Sequence, residues 1–242
     1  MNPLSIVITI AVIMFILWLI RYIATDPNTL QGMTDGTVGT QIDSSDLATK
    51  DDGVPDSNFA YSIWFYINDW NYRYGESKIL LARNDKDNNP GPSVVFGAME
   101  NDITISVTCY PTSNTQANAS DKHIIHECNV SNFPIQKWVN LIISLYGRTL
   151  DVYLDGKLVR TCVLPGVAKI NNNADVFVTP KGGFSGMTSN IKYWSDATNP
   201  QEAYEIYKDG FGAGNPITGF FNKYKLKFSF MENNKEKGSF EL

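Results

Sequence analysis

The sequence predicts an all-β protein: a two-sheet antiparallel β-sandwich with one N-terminal transmembrane helix and one short surface helix. Many short runs alternate apolar and polar residues, which is the period of a strand with one buried face. Residues that favour turns separate these runs. Of the 242 residues, 12% are aromatic, so two sheets can bury a large common core.

The composition excludes several classes of function. The formal net charge of −5 argues against a general nucleic-acid binder, because such a protein needs a basic face. The two histidines, His123 and His126, are too few for most histidine-based catalysis and most zinc sites. They lie three residues apart in a predicted strand and therefore face opposite sides. We expect no cofactor.

The first 24 residues are predicted to form a single-pass transmembrane anchor in a lipid bilayer. From Leu4 to Ile20 no residue is charged, and with its neighbours this run approaches the about 20 residues that a spanning helix needs. Trp18 and Tyr22 suit a membrane interface, and Arg21 can extend beside them. A cleaved signal peptide is the alternative, but a basic N-terminal region and a clear cleavage site are missing.

The rest of the chain divides by composition. Residues 25–54 are predicted to be a polar linker, because large apolar residues are sparse there. The β-domain is predicted over residues 55–212, followed by a C-terminal extension over 213–242 with one lysine-rich strand. Lys225 and Lys227 of that strand either protect a sheet edge from aggregation or contact an acidic partner.

The β-domain is organised around three consecutive predicted strands within residues 137–164. Gly147-Arg148 can form the first two-residue turn between them. Asp155-Gly156 is a strong signal for the second turn, because both residues accept positive φ. Residues 59–67 carry bulky side chains on both faces and are predicted to form a central strand that is covered on both sides. Further strands are predicted at 78–83, 93–99, 102–110, 123–130, 175–179 and 184–194.

One short helix is predicted after the last strand of the domain. Asn199 suits the N-cap, Pro200 suits the first helical position, and Glu202 can complete a capping box. Gly210 can end the helix. Its predicted apolar stripe comprises Ala203, Ile206 and Tyr207.

The chain has three cysteines at positions 109, 128 and 162. The odd count and wide spacing exclude a zinc ribbon and a disulfide-dense scaffold. Cys109 and Cys128 lie in successive predicted strands and could face each other across an antiparallel pair. We predict either buried free thiols or a cross-strand disulfide between these two residues.

No catalytic set emerges from the sequence. Asp151 and Asp155 have the spacing of a same-face carboxylate pair, but the hairpin turn requires Asp155. Asp85, Asp87 and Asn89 alternate oxygen ligands and are weak candidates for a calcium site, although the glycine and distal glutamate of an EF-hand are absent. A solvated turn is the favoured interpretation of this loop. We therefore expect no enzyme activity and no bound metal.

A loop of residues 68–76 combines aromatic and polar side chains. Trp70, Tyr72 and Tyr74 are interspersed with asparagine, aspartate and arginine residues. Exposed aromatic rings beside polar groups are typical of glycan sites and also of protein interfaces. We predict a contact site at this loop, with a protein partner favoured over a glycan.

The order of these landmarks resembles a known superfamily. The run FAYSIWFYINDW comes first, followed by the hairpin sequence YLDGK, the strand GGFSGMTSNIKYW and the helix NPQEAYEIYKDG. Together they resemble the concanavalin A-like lectin/glucanase superfamily, and within it the laminin-G-like jelly roll. The glucanases of that superfamily carry a Glu-x-Asp-x-x-Glu run, which this sequence lacks, so the resemblance implies a non-enzymatic jelly roll.

With its anchor and its lysine-rich strand, the chain is also similar to membrane-anchored lectin-like proteins of large icosahedral DNA viruses. This resemblance implies a minor capsid protein of the virion, whose β-domain lies between the inner membrane and the capsid shell and contacts capsid proteins. The alternative is a lectin-like protein that is anchored in a cell-surface membrane and binds a glycan.

Overall fold

The computed structural model describes residues 3–24, 26–47, 57–111, 123–212, 227–232 and 235–241. The chain forms two compact units, one of which is Pro27–Gly212 and the other Met1–Asp26 with Ala213–Leu242. The helices are α1 (Pro3–Ala24) and α2 (Pro200–Lys208). The strands are β1 (Thr29–Gln31), β2 (Thr34–Asp35), β3 (Thr40–Ile42), β4 (Phe59–Asp69), β5 (Lys78–Asn84), β6 (Pro90–Phe96), β7 (Ile103–Cys109), β8 (Ile124–Val130), β9 (Trp138–Tyr146), β10 (Thr149–Leu154), β11 (Lys157–Val163), β12 (Val176–Val178), β13 (Ser185–Trp194), β14 (Lys227–Glu232) and β15 (Lys235–Glu241).

The larger unit is the predicted two-sheet antiparallel β-sandwich. Its first sheet, sheet A, has the order β1-β13-β4-β9-β10-β11, with β2 also paired to β13. Its second sheet, sheet B, has the order β3-β12-β5-β6-β7-β8. Aromatic rings fill the core between the sheets, and the ring of Phe65 lies 5.0 Å from Phe96 and 5.5 Å from Phe133. Burying one such side chain contributes about 1.5–3 kcal/mol to stability.

Strand β4 is central and covered on both sides, as the sequence predicts. Phe65 lies in the core between the sheets, whereas Trp64 lies on the outer face of sheet A, and both are buried. The outer face is covered by α2 and the residues after it, since the Trp64 ring stacks on Tyr207 at 5.5 Å. Sheet A therefore has a second, thinner apolar layer behind it.

The three-stranded meander forms with the two predicted turns. Strands β9, β10 and β11 pair in sequence, and Asp155 and Gly156 take positive φ values of 49° and 72°. The Asp155 carboxylate accepts hydrogen bonds from the backbone N–H of Asn140 and from Lys137 Nζ, both at 3.0 Å. The aspartate thus fixes the hairpin to the preceding strand as well as forming its turn.

Helix α2 begins as predicted. The side chain of Asn199 accepts hydrogen bonds from the backbone N–H groups of Gln201 and Glu202, and Glu202 accepts one in return from the Asn199 N–H. This reciprocal pair is a capping box. Ala203 then packs on Ile142 and Tyr153, two residues of the outer face of sheet A.

The prediction that residues 25–54 form a linker is wrong for the part of this segment that the structure describes. Strands β1 and β2 pair with β13 at the edge of sheet A, and β3 pairs with β12 at the edge of sheet B. Ile42 and Leu47 are buried in the core. These strands are only two or three residues long and mostly polar, because an edge strand needs few apolar anchors. Residues 48–54 lie outside the described residues.

Two glycines let the chain pass closely between β4 and the N-terminal segment. A Cβ on Gly186 would lie 1.9 Å from the carbonyl oxygen of Tyr66, and one on Gly183 would lie 2.1 Å from that of Gly36. Gly183 also has a φ of 37°. No larger residue fits at either position without moving backbone.

The predicted pairing of Cys109 with Cys128 is wrong, because Cys128 forms a disulfide with Cys162. Cys109 lies opposite Ile124 in the β7–β8 register, four positions from Cys128, which is about 13 Å along a strand. Cys109 is a buried free thiol, and burial raises the pKa of that thiol. The disulfide joins the edge strand of sheet B, β8, to the edge strand of sheet A, β11.

The smaller unit contains α1 and a β14–β15 hairpin. The predicted anchor residues Leu4, Ile20 and Arg21 lie in α1, where the described apolar side chains are exposed and Trp18 stacks 5.7 Å from Tyr22. Within the described residues, no helix meets the length and hydrophobicity required for a membrane span. Of the hairpin the sequence predicts only the first strand, which begins at Lys227. Lys225 lies outside the described residues.

Candidate functional site

The predicted contact loop, residues 68–76, connects β4 to β5 and is anchored from beneath by Trp70. The indole Nε1 donates a hydrogen bond to the carbonyl of Met99 at 3.1 Å, and the ring packs 5.9 Å from Phe133 of the core. The ammonium group of buried Lys78 lies 4.9 Å from the centre of the Trp70 ring. Trp70 therefore holds the loop in place and offers little surface to a partner.

The middle of the contact loop is tied to the turn before β13. The Tyr72 hydroxyl donates to the carbonyl of Gly182 at 3.1 Å, and Arg73 Nη1 donates to that of Lys181 at 2.5 Å. Arg73 also forms an ion pair with Glu76 at 2.6 Å. The three residues fix the loop conformation before any ligand arrives, which lowers the entropy cost of binding.

Tyr74 is the aromatic residue of the contact loop that faces solvent, with 58% of its surface exposed. It follows exposed Asn71, whose carbonyl accepts a hydrogen bond from the Tyr74 N–H at 3.1 Å. The neighbouring Met99 is 62% exposed. Of the three aromatic residues predicted to make contacts, only Tyr74 presents most of its surface to a partner.

Sequence reasoning missed a second aromatic site on the outer face of sheet A. We call it the aromatic cleft and define it by the residues Trp64, Tyr66, Trp138, Tyr207 and Phe211. The ring of Phe211 stacks on that of Trp138 with centroids 4.4 Å apart and planes 7° apart. Tyr66 borders Trp138 at 5.8 Å. Trp138 thus lies in this cleft, on the outer face of sheet A.

The weak calcium candidates form a closed loop by hydrogen bonding. The Asp85 carboxylate accepts bonds from the Asn89 side chain and backbone at 2.8–3.0 Å and from the Asp87 backbone at 3.0 Å. Lys169 Nζ donates to it at 3.2 Å. Among the described residues no group of three or more acidic, histidine or cysteine side chains could hold a metal ion. Asp85, Asp87 and Asn89 thus form a hydrogen-bonded turn.

This loop makes stability depend on pH. Burial alone would raise the pKa of Asp85, but the hydrogen bonds from Asn89, Lys169 and Asp87 lower it to about 2, against 3.8 for a free carboxyl. The stabilisation is present above pH 4 and is lost as the pH falls through about 2, where the folded form is protonated. We expect Asp85→Asn to flatten this part of the pH profile when thermal unfolding is followed by circular dichroism.

Asp87→Asn is the matched control for that measurement, because the Asp87 side chain is exposed. It should leave the slope between pH 4 and pH 2 unchanged. Identical slopes for wild type and Asp85→Asn would contradict the assignment.

The two candidate carboxylates of the meander serve the fold. Asp151 accepts a hydrogen bond from the Thr161 hydroxyl at 2.5 Å, across the β10–β11 pair. Asp155 is engaged by the Asn140 N–H and by Lys137. Both side chains thus make hydrogen bonds within the meander.

Comparison with known proteins gives the family. Residues 39–203 match the family model Laminin_G_3, described as concanavalin A-like lectin/glucanases superfamily. No curated protein sequence matches the chain.

Two solved structures, each with a TM-score of 0.51, share the fold. The binding domain of botulinum neurotoxin DC in complex with rat synaptotagmin II has a TM-score of 0.51 at 13% identity, with 71% of this chain and 40% of that one covered. The crystal structure of an HCR/D mutant has a TM-score of 0.51 at 7% identity, with 74% of this chain and 42% of that one covered. The neurotoxin DC binding domain in complex with SialylT has a TM-score of 0.47 at 15% identity, with 63% of this chain and 35% of that one covered. The chain thus spans about two fifths of the length of these proteins, and at such identities the likeness shows the fold alone.

The two-sheet sandwich, the capped helix behind sheet A and the family match over most of the folded unit lead to one assignment. The chain belongs to the concanavalin A-like lectin/glucanases superfamily, through a lectin-like jelly-roll domain of the Laminin_G_3 type.

Proposed function

We propose that the domain is a non-enzymatic binding module that recognises a glycan through the contact loop. The observation that carries the proposal is the rigid presentation of Tyr74. The residue is 58% exposed on a loop that Trp70, Tyr72 and Arg73 fix in advance. An exposed aromatic ring offers a stacking surface for the apolar face of a sugar, and the amide of Asn71 and the Arg73–Glu76 pair offer hydrogen bonds beside it.

The absence of catalysis is part of this proposal. Asp151 and Asp155, the same-face pair that the sequence offers, are both held by hydrogen bonds within the meander. A retaining glycosidase needs two carboxyl groups free to flank the scissile bond. An assay with soluble β-glucans and purified protein tests this point, and turnover that depends on Asp151 would overturn it.

We expect Tyr74→Ala to weaken glycan binding by about tenfold or more, because a lost stacking contact of about 1.4 kcal/mol or more corresponds to that factor. The measurement is a glycan array with neutral and sialylated saccharides, followed by titration calorimetry on each hit. Tyr146→Ala is the matched control, since Tyr146 is 70% exposed and lies at the opposite end of β4 and β9. Equal binding by wild type and Tyr74→Ala, or equal losses in both variants, would reject the contact loop as the site.

We propose a second function, a minor capsid protein tethered to a membrane, because α1 exposes a continuous series of large apolar side chains. They include Val7, Ile10, Ile13 and Leu17, each about half exposed or more. Such a surface favours a lipid environment. In this proposal α1 enters the inner membrane of a virion and the β-domain contacts capsid proteins outside it. A cell-surface membrane is the other location that fits a glycan-binding domain.

Flotation of the full-length chain with phosphatidylcholine vesicles tests the membrane contact. Ile13→Arg should abolish flotation, whereas Val163→Arg, which places the same charge on an exposed apolar position of β11, should not. Detergent extraction of purified particles then tests the capsid contact. Release of the chain with the lipid, without any capsid protein, would exclude the tether.

A further inference from the structure

We propose that the aromatic cleft is a second site for a hydroxylated sugar ring, and that the chain's own residues Asp209–Phe211 occupy it. The proposal does not rest on the contact loop, because the cleft lies on the outer face of sheet A behind α2. Its starting point is a pair of buried polar atoms that have no hydrogen-bond partner among the residues that the structure describes. They are the indole Nε1 of Trp64 and the side-chain Oδ1 of Asn140.

The two residues that carry these atoms are neighbours on adjacent strands and are buried. Trp64 and Asn140 are directly opposite each other in the β4–β9 register, and their exposures are 4% and 0%. Asn140 uses its amide nitrogen on Ser62 at 3.0 Å, which leaves its oxygen as the group without a partner among the described residues. A buried polar group without a partner costs about 1–3 kcal/mol, so a sheet that retains two of them needs an explanation.

The chemistry of the pair indicates the ligand. One atom is an N–H donor and the other is a carbonyl-type acceptor. A hydroxyl group of a ligand can serve both, because its oxygen accepts from Trp64 while its hydrogen is donated to Asn140. Neither a carboxylate nor an ammonium group can do both.

Residues Asp209–Phe211, which we call the cover, are bound to the cleft by the kinds of contact that a ligand would make. The Phe211 ring lies flat on Trp138, a stacking that the C–H face of a pyranose can reproduce. Three side chains of β13 bind the cover by polar contacts. Ser189 Oγ donates to the Phe211 carbonyl at 2.6 Å, Asn190 Nδ2 to the Gly210 carbonyl at 2.8 Å, and Lys192 Nζ pairs with Asp209 at 3.1 Å.

The cover also has features that favour its displacement from the cleft. Phe211 is 38% exposed although its ring is stacked, and Gly210 before it has a φ of 77° in the left-handed region. If Asp209–Phe211 moves away, the cleft offers the Trp138 face together with the hydroxyl group of Ser189 and the amide group of Asn190. Trp64 and Asn140 lie on β4 and β9, the next two strands of sheet A. A pyranose with several hydroxyl groups matches this set.

The test uses the full-length protein in mild detergent on an array of gluco-, galacto-, manno- and sialyl-terminated saccharides. Phe211→Ala should bind at least one of them about tenfold more tightly than wild type, since binding no longer has to displace the ring. Trp138→Ala in the Phe211→Ala background should abolish the gain. Phe211→Tyr, which keeps the ring, should behave as wild type, and so should Phe177→Ala, whose residue is equally exposed at 38% but lies on β12.

A folded Phe211→Ala protein that binds no saccharide better than wild type overturns the proposal, and the two polar atoms are then bridged by a structural water. If Phe211→Ala does not fold, Asp209→Ala takes its place, because that variant removes one contact of the cover and keeps the Phe211 ring. Asp209→Ala should then bind a saccharide about threefold more tightly than wild type. The lack of such a gain also overturns the proposal. Tyr74→Ala added to Phe211→Ala separates the two sites. A gain that persists belongs to the cleft, and one that disappears belongs to the contact loop.

Discussion

Replacing Cys162 with serine is expected to lower the free energy of unfolding by about 4 kcal/mol. The disulfide with Cys128 closes a loop with a sequence separation of 34 residues, and the chain-entropy relation gives about this value for such a loop. The bond also joins the edges of the two sheets at β8 and β11, where Leu158 and Val159 on β11 are nearly half exposed and contribute little burial. For a domain of this size the melting temperature should fall by roughly 8–16 °C.

Thermal unfolding followed by circular dichroism, with and without a reducing agent, measures this effect. Cys109→Ala is the matched control, since Cys109 is a buried thiol without a covalent partner. Reductant should lower the melting temperature of wild type and of Cys109→Ala, and should have no effect on Cys162→Ser. A reductant effect that disappears in Cys109→Ala would show that Cys109 is in the bond.

Replacing Arg83 with methionine is expected to cost about 3 kcal/mol. Arg83 is buried in β5, where its guanidinium donates to the carbonyls of Ala174 and Asn172 at 3.1 and 3.0 Å and to the Tyr61 hydroxyl at 3.3 Å. It also lies 5.9 Å from the centre of the Tyr193 ring. Methionine fills a similar volume but leaves buried acceptors without a donor, each of which costs about 1–3 kcal/mol.

Urea unfolding at neutral pH measures the loss, and Arg160→Met on the exposed side of β11 is the control for the removal of one positive charge. Arg83→Lys retains the charge but cannot reach three acceptors at once, so it should recover only part of the stability. Full recovery in Arg83→Lys would show that charge and not the hydrogen-bond geometry is what matters. Burial raises the pKa of Tyr61, so this phenol stays protonated throughout the range of the experiment.

The sequence predicts the elements whose signals are local. The Asp155-Gly156 hairpin, the capped start of α2 at Asn199 and the two-sided strand β4 depend on neighbouring residues, and each forms as expected. The N-terminal strands could not be predicted, because they are short, polar and ordered only by the sheet edges they join. The cysteine pairing depends on how β8 and β11 meet across the sandwich, which no local pattern contains.

The candidate sites show the same contrast between features that depend on neighbouring residues and features that depend on residues far apart in sequence. Composition locates the contact loop, but it cannot show that Trp70 faces Phe133 and Met99, which are far away in sequence, while Tyr74 faces solvent. The aromatic cleft brings together β4, β9, α2 and Phe211 after that helix. Its residues span positions 64 to 211, and only the strand order of sheet A makes them neighbours.

The short N-terminal strands give the domain a mechanical property. A load applied at Pro27 reaches the sandwich through β1, an edge strand of three residues, and then through β2 and β3. Edge strands loaded from one end peel one hydrogen bond at a time, and residues 29–47 would release roughly 60 Å of chain before β4 bears force. On the other side, the segment between Cys128 and Cys162 cannot lengthen, because the disulfide bypasses it. The domain would thus first lengthen as its N-terminal strands detach, and would then resist further extension.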